Sequence, residues 1–116
     1  MKTRDYRDYL QDILDAINDI ESFVDNMTYK EFIKDRKTLN AVIRSIEIIG
    51  EASKNIPEST KTNNRELPWK QMAGMRDKLI HAYFGIDTET LWKAAKENIP
   101  PLKQSIQEIL KNQEKF

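Results

Sequence analysis

The stretch RDYRDYLQDILDAINDIESFVDN, residues 4–26, places Leu10, Ile13, Leu14, Ile17, Ile20 and Val24 at three- and four-residue spacing. That period is one face of an α-helix, and the carboxylates between the apolar positions make its other face acidic. Asp25-Asn26 ends it. Downstream, Phe32, Ile33, Leu39, Val42, Ile43, Ile46 and Ile49 predict a second helix from about Tyr29 to Asn55, stopped by Pro57. Its arc from Leu39 to Ile49 is apolar widely enough for neighbours on two sides. Residues 58–66, ESTKTNNRE, show no periodicity and read as a polar loop.

Pro68 suits the first turn of a third helix, where its missing N–H costs little, and Gly85 is placed to cap that helix after about Phe84. Asp87 or Thr88 can cap a fourth helix with Glu89 in its first turn. Pro100-Pro101 forces a break or a kink. Leu102, Ile106, Ile109 and Leu110 then mark a last helix. No alternating strand pattern, repeat or low-complexity tract occurs. The expected fold is all-α: residues 1–116 as one domain, an up-and-down bundle of four to five antiparallel helices.

The chain has 116 residues, enough for one domain and too few for two. It contains no cysteine, which removes disulfides, thiolate metal sites and a cysteine nucleophile. No apolar run approaches the roughly 20 residues a membrane-spanning helix needs. The opening MKTRDYRDYL has no continuous apolar stretch of signal-peptide type. A cytoplasmic protein without a membrane partner is the expectation. The 19 basic and 19 acidic residues cancel, which argues against bulk polyanion binding. The balance is local, however: residues 1–35 sum to −4, and residues 60–81 to +3. The basic stretch, with Lys61, Arg65, Lys70, Arg76 and Lys78, also holds the single histidine, His81.

Elimination narrows the chemistry. There is no phosphate-binding G-x-x-x-x-G-K-[ST] loop and no G-x-S-x-G elbow. With one histidine and no E-x-x-H pair, neither a transition-metal site nor a cofactor is expected. Any imidazole acid–base chemistry must pass through His81. On a helical wheel, Met72, Met75, Leu79 and Ala82 form the core stripe of the third helix. Asp77 and His81, spaced i, i+4, fall on a different face with Gly74 close by.

Such a group could cleave a phosphodiester without metal. The imidazole would act as general base on a ribose 2′-hydroxyl, and Arg76 would offer paired donors to the phosphate oxygens. Asp77 would fix the imidazole tautomer and favour its protonated form. Arg76 and His81 lie about 140° apart around the axis, so one helix does not aim both at one atom. Two such helices across a twofold axis could, with Gly74 permitting close approach. The plainer alternatives are a histidine in a structural hydrogen bond and local ion pairs among Arg76, Asp77 and Lys78.

The string Arg76-x-x-x-x-His81-x-Tyr83 resembles the signature of the HepT-like branch of the HEPN superfamily. The run Arg44-Ser45-Ile46-Glu47-Ile48-Ile49-Gly50-Glu51-Ala52 is similar to that branch's R-x-I-E-x-I-G-E-A segment. Pro68-Trp69, Gly74-Met75-Arg76, Leu91-Trp92 and Pro100-Pro101-Leu102 also match, and the likeness covers roughly residues 5–112. The resemblance implies a homodimeric, metal-independent endoribonuclease, the toxin of a type VII toxin–antitoxin pair with a minimal nucleotidyltransferase antitoxin. It implies that Arg76 and His81 are catalytic, with Asp77 in the polar position after the arginine. It also implies that Tyr83 is the residue adenylylated to silence the enzyme.

Arg44, Glu47 and Glu51 form a stripe opposite the apolar arc of their helix. They are either a solvated ion-paired face or supports of the site from a second layer. Lys78 is a candidate RNA contact. Trp69 and Trp92 read as packing anchors. Two other functions remain open: a non-catalytic nucleotide- or partner-binding module associated with a nucleotidyltransferase, and a purely structural helical dimer.

Overall fold

A computed structural model describes residues 4–85 and 87–113, and within these the side chains at positions 76, 79–85 and 113 fall outside the description. Every regular element among the described residues is helical: α1 (Tyr6–Val24), α2 (Tyr29–Lys34), α3 (Arg36–Lys54), α4 (Glu58–Asn63), α5 (Trp69–Gly85), α6 (Thr88–Lys93) and α7 (Lys103–Gln113). A π-helical turn, Ala94–Asn98, and a 3₁₀ turn, Pro100–Leu102, join α6 to α7.

The first helix follows its sequence period. Leu10, Ile13, Ala16, Ile17, Ile20 and Val24 are buried. Asp5 caps the helix by accepting from the Arg7 N–H at 2.9 Å, and Asn26 takes a left-handed φ of 57° just past its end. Each fully buried aliphatic side chain of this kind contributes about 1.5–3 kcal/mol against exposure. The helix packs chiefly against α3, and α3 packs in turn against α5. That sandwiched position explains the wide apolar arc of α3, where Val42, Ile46 and Ile49 are all buried.

The expected single helix over Tyr29–Asn55 is instead two. Asp35 sits at φ −100°, ψ 89°, outside helical space, and its carboxylate accepts from the Thr38 N–H at 3.1 Å, capping α3. The short α2 is closed at its start by a reciprocal Thr28–Glu31 capping box. It turns Phe32 fully into the core.

The loop expected over 58–66 is corrected as well. Residues Glu58–Asn63 form α4, which buries Thr60 and is tied off by Asn64 Nδ2 donating to the Thr60 carbonyl at 2.8 Å. One buried threonine leaves no apolar period to read, so α4 is set by its closing turn and by the packing beneath it. With α2 and α4 added, the four-to-five-helix count underestimates the segments.

The fourth helix begins as expected. Asp87 Oδ1 accepts from the Thr90 N–H at 3.0 Å, and its other oxygen accepts from the Thr90 hydroxyl. Pro100 and Pro101 supply no N–H, so the helix cannot continue through them. Ile99 instead donates to the Ala94 carbonyl at 2.9 Å, five residues back, and the chain tightens to 3₁₀ before α7 resumes. This C-terminal run is fastened to α1 by Lys103–Glu21 at 3.0 Å and by Lys96 Nζ donating to the Val24 carbonyl at 3.4 Å. The second contact puts a cation at the negative end of the α1 dipole. No described helix is long and apolar enough to cross a membrane.

Candidate active site

The motif helix α5 starts from a fixed N-terminal turn. The Pro68 carbonyl accepts from the Met72 N–H at 2.9 Å, so the proline stands one residue ahead of the helix rather than inside it. Trp69 is 8% exposed, and its indole N–H donates to the Asn64 carbonyl at 3.0 Å. It is therefore a packing anchor, as expected. Trp92 is also engaged in packing, with Phe32 at 5.0 Å between ring centroids and Tyr29 at 6.0 Å.

The two faces of α5 are chemically distinct. Met72 is completely buried, and Met75 packs at the edge of the core. At 100° per residue, Lys70, Gly74 and Asp77 fall on one stripe roughly opposite Met72, and His81 occupies the next register position of that stripe. Lys70 and Asp77 are exposed. A Cβ built on Gly74 would meet nothing within 4 Å, so no described part of this chain packs over it. The glycine is not required by crowding inside the subunit, and the space beside it is open.

Asp77 and Lys78 form no ion pair with one another or with any other described residue. Lys78 points to a separate groove of about 520 Å³ between α5 and the α6–π segment, lined also by Met72, Met75, Leu91, Glu97 and Asn98. The side chains of Arg76, His81 and Tyr83 lie outside the described residues. Their backbone positions fall within α5.

On α3, Arg44 pairs with Glu47 at 3.5 Å. Arg44 is 72% exposed, which favours the solvated-face reading for that pair. Glu51 is exposed too, and its backbone carbonyl accepts from Asn55 Nδ2. Neither Arg44 nor Glu47 is hydrogen-bonded to Asp77 or Lys78. A further feature is not legible in the sequence. Because α4 is a helix rather than a loop, it forms a cleft of about 410 Å³ with the start of α5, lined by Lys61, Arg65, Trp69 and Lys70 among others. The local charge of +3 was the one signal pointing there.

Among the described residues the chain is an all-helical globule that holds a charged, glycine-bearing stripe of α5 out of its core. The family model described as ribonuclease HepT-like matches residues 13–109, and the chain belongs to that family. Its relatives include a protein of Thermococcus cleftensis named probable ribonuclease HepT. That protein is 54% identical over 93% of this chain and 98% of its own length. A Methanocaldococcus jannaschii protein provisionally named an RNase is 48% identical, covering 97% of this chain and 93% of its own. Another, from Caldanaerobacter subterraneus subsp. tengcongensis and also provisionally named an RNase, is 40% identical over 92% and 96%. No solved structure matches.

Proposed function

We propose that the chain is a metal-independent endoribonuclease toxin whose site is completed by a second copy across the α5 stripe. The observation that carries the reading is the family match over residues 13–109, which includes the whole Arg76–His81–Tyr83 motif. The open space at Gly74 and the exposed Asp77 on the same stripe support it, since a second subunit can approach there without displacing side chains of the first.

In this reading His81 takes the proton of a ribose 2′-hydroxyl. The 2′-oxygen attacks phosphorus, the P–O5′ bond breaks, and the 5′-oxygen leaves with a proton from the second subunit's imidazolium or from water. Arg76 holds the phosphate oxygens as charge builds on them. Asp77, one turn from His81, orients the imidazole and favours its charged form. Adenylylation of Tyr83 by a minimal nucleotidyltransferase would set an anion beside the cleft and repel RNA phosphates.

The test is RNA cleavage in EDTA by the wild-type chain, by Arg76→Ala and by His81→Ala, with oligomeric state followed in parallel. Loss of cleavage in both variants with the dimer retained supports the proposal. Cleavage persisting in His81→Ala overturns it, because the chain has no other imidazole.

A further inference from the structure

The α4–α5 cleft lies outside the motif and is lined by three cations, Lys61, Arg65 and Lys70, and one carboxylate, Glu58. Lys61 is held by Glu58 at 3.8 Å and is only 19% exposed, so within the cleft these two charges largely offset each other. Arg65 and Lys70 line the same cleft, are exposed, and form no ion pair among the described residues. Trp69 forms a fixed wall. Its indole N–H is already committed to Asn64, and burial of its ring leaves no free face for a base to stack on. Two cations with no ion-pair partner among the described residues, beside an inert wall, recognise repeated negative charge and have no means of reading a base.

The register of α5 connects this cleft to the motif. Lys70 and His81 are eleven residues apart, which returns the helix to nearly the same angle after about 16 Å. Gly74 and Asp77, between them on the same stripe, are given above to the approach of the second copy, so a strand leaving the cleft would reach the motif along the edge of that seam, past small Ala73 at the cleft's end. At 3.4 Å per stacked nucleotide, 16 Å corresponds to about five nucleotides.

The geometry points to the α4–α5 cleft as an RNA-backbone subsite, in which Arg65 and Lys70 hold two neighbouring phosphates about five nucleotides from the one being cut. This rests on the ribonuclease reading above. It makes the enzyme sense RNA length without sensing sequence at that distance.

The binding test uses the full chain carrying His81→Ala, so that RNA is not consumed, and a fluorescently labelled single-stranded RNA of about twenty nucleotides. Adding Arg65→Ala and Lys70→Ala is expected to weaken binding about tenfold at low salt. It should also make the slope of log K against log salt shallower by about 1.4, two phosphate contacts at about 0.7 each. Arg65→Lys with Lys70→Arg should restore both. In the otherwise wild-type chain, the double alanine variant should raise KM on the long RNA at unchanged kcat, and cleave a trinucleotide as the parent does.

Unchanged affinity and slope in the double variant overturn the subsite, as does an absence of RNA binding by the parent. Loss of an acidic protein partner with RNA binding intact also overturns it. The two proposals fail separately. If no RNA is cut but the double variant still loses affinity and slope, the subsite stands and the ribonuclease reading falls. If His81→Ala abolishes cleavage while the double variant behaves as the parent, the reverse holds.

Discussion

Helices α3 and α5 pack side by side and are similar in length, 19 and 17 residues, yet they use their surfaces differently. The first is gripped by α1 on one side and α5 on the other, and it buries Val42, Ile46 and Ile49 together with Ser45, Gly50, Ala52 and Ser53. The second buries Trp69 and Met72 among its described side chains and turns Lys70, Gly74 and Asp77 away from the core. A helix sandwiched between two neighbours is committed to stability. α5 leaves a stripe that no described side chain covers, and the Arg76–His81–Tyr83 string lies on that helix.

The contrast can be broken most decisively at the motif. Arg76→Ala and His81→Ala should each lower RNA cleavage by about 10²–10⁴-fold with helical content retained by circular dichroism. Cleavage unaffected by either change would remove the functional half of the comparison. Next in size is the structural half. Ile49→Ala on α3, where the parent side chain is fully buried, should cost about 2–5 kcal/mol in denaturant unfolding. Cleavage per folded molecule should be preserved, and a cost below about 1 kcal/mol would show that α3 is not the central packing element.

Helix caps supply a smaller, pH-dependent effect. The carboxyl of Asp35 is held below its ordinary value by the hydrogen bonds it accepts from Thr38. Asp87 is lowered by Thr90, first through its hydroxyl and then through its N–H. A carboxyl lowered in the folded state adds stability above its unfolded value near 4, and that stability is lost as pH falls through the folded value. Tm should therefore be nearly level from pH 7 to about 5 and fall below about 4. Asp35→Asn keeps a capping oxygen but cannot titrate, so it should make the acid limb shallower while Asp87 still titrates. An unchanged limb would deny the cap its part in it.

The smallest expected change is the sharpest comparison of the two helix faces. Gly74→Ala should stabilise the isolated subunit by up to about 1 kcal/mol, because the new methyl meets open space and alanine favours helix. The same methyl should weaken a dimer whose seam runs along this stripe, which sedimentation at varied concentration would measure. A dimer of unaltered affinity would move the seam elsewhere.

The parts legible in the sequence were those in which local pattern and packing agree. The burial of Leu10, Ile13, Ile17 and Ile20, the wide arc of α3, the Asp87 cap and the break at Pro100-Pro101 follow from spacing and from missing donors. The split at Asp35 was not read, although Asp35 and Thr38 stand at capping distance, because the apolar residues on either side continue the helical period. The α4 helix was not read because it has almost no apolar face. The motif residues were legible through the resemblance, whereas the α4–α5 cleft was not, since it depends on α4 being folded.

By itself the sequence determined that the chain is helical, which face of each long helix is apolar, and that a single imidazole stands in a basic stretch beside an arginine and a glycine. Those properties depend on residues three or four positions apart, within reach of one helical turn. Only the tertiary structure decided that α3 is enclosed on two sides, that no described side chain covers Gly74, and that Arg65 and Lys70 share a cleft with α4. Each of these is a statement about which neighbour arrives at a surface. That is set by how the helices pack against one another, which no local period encodes.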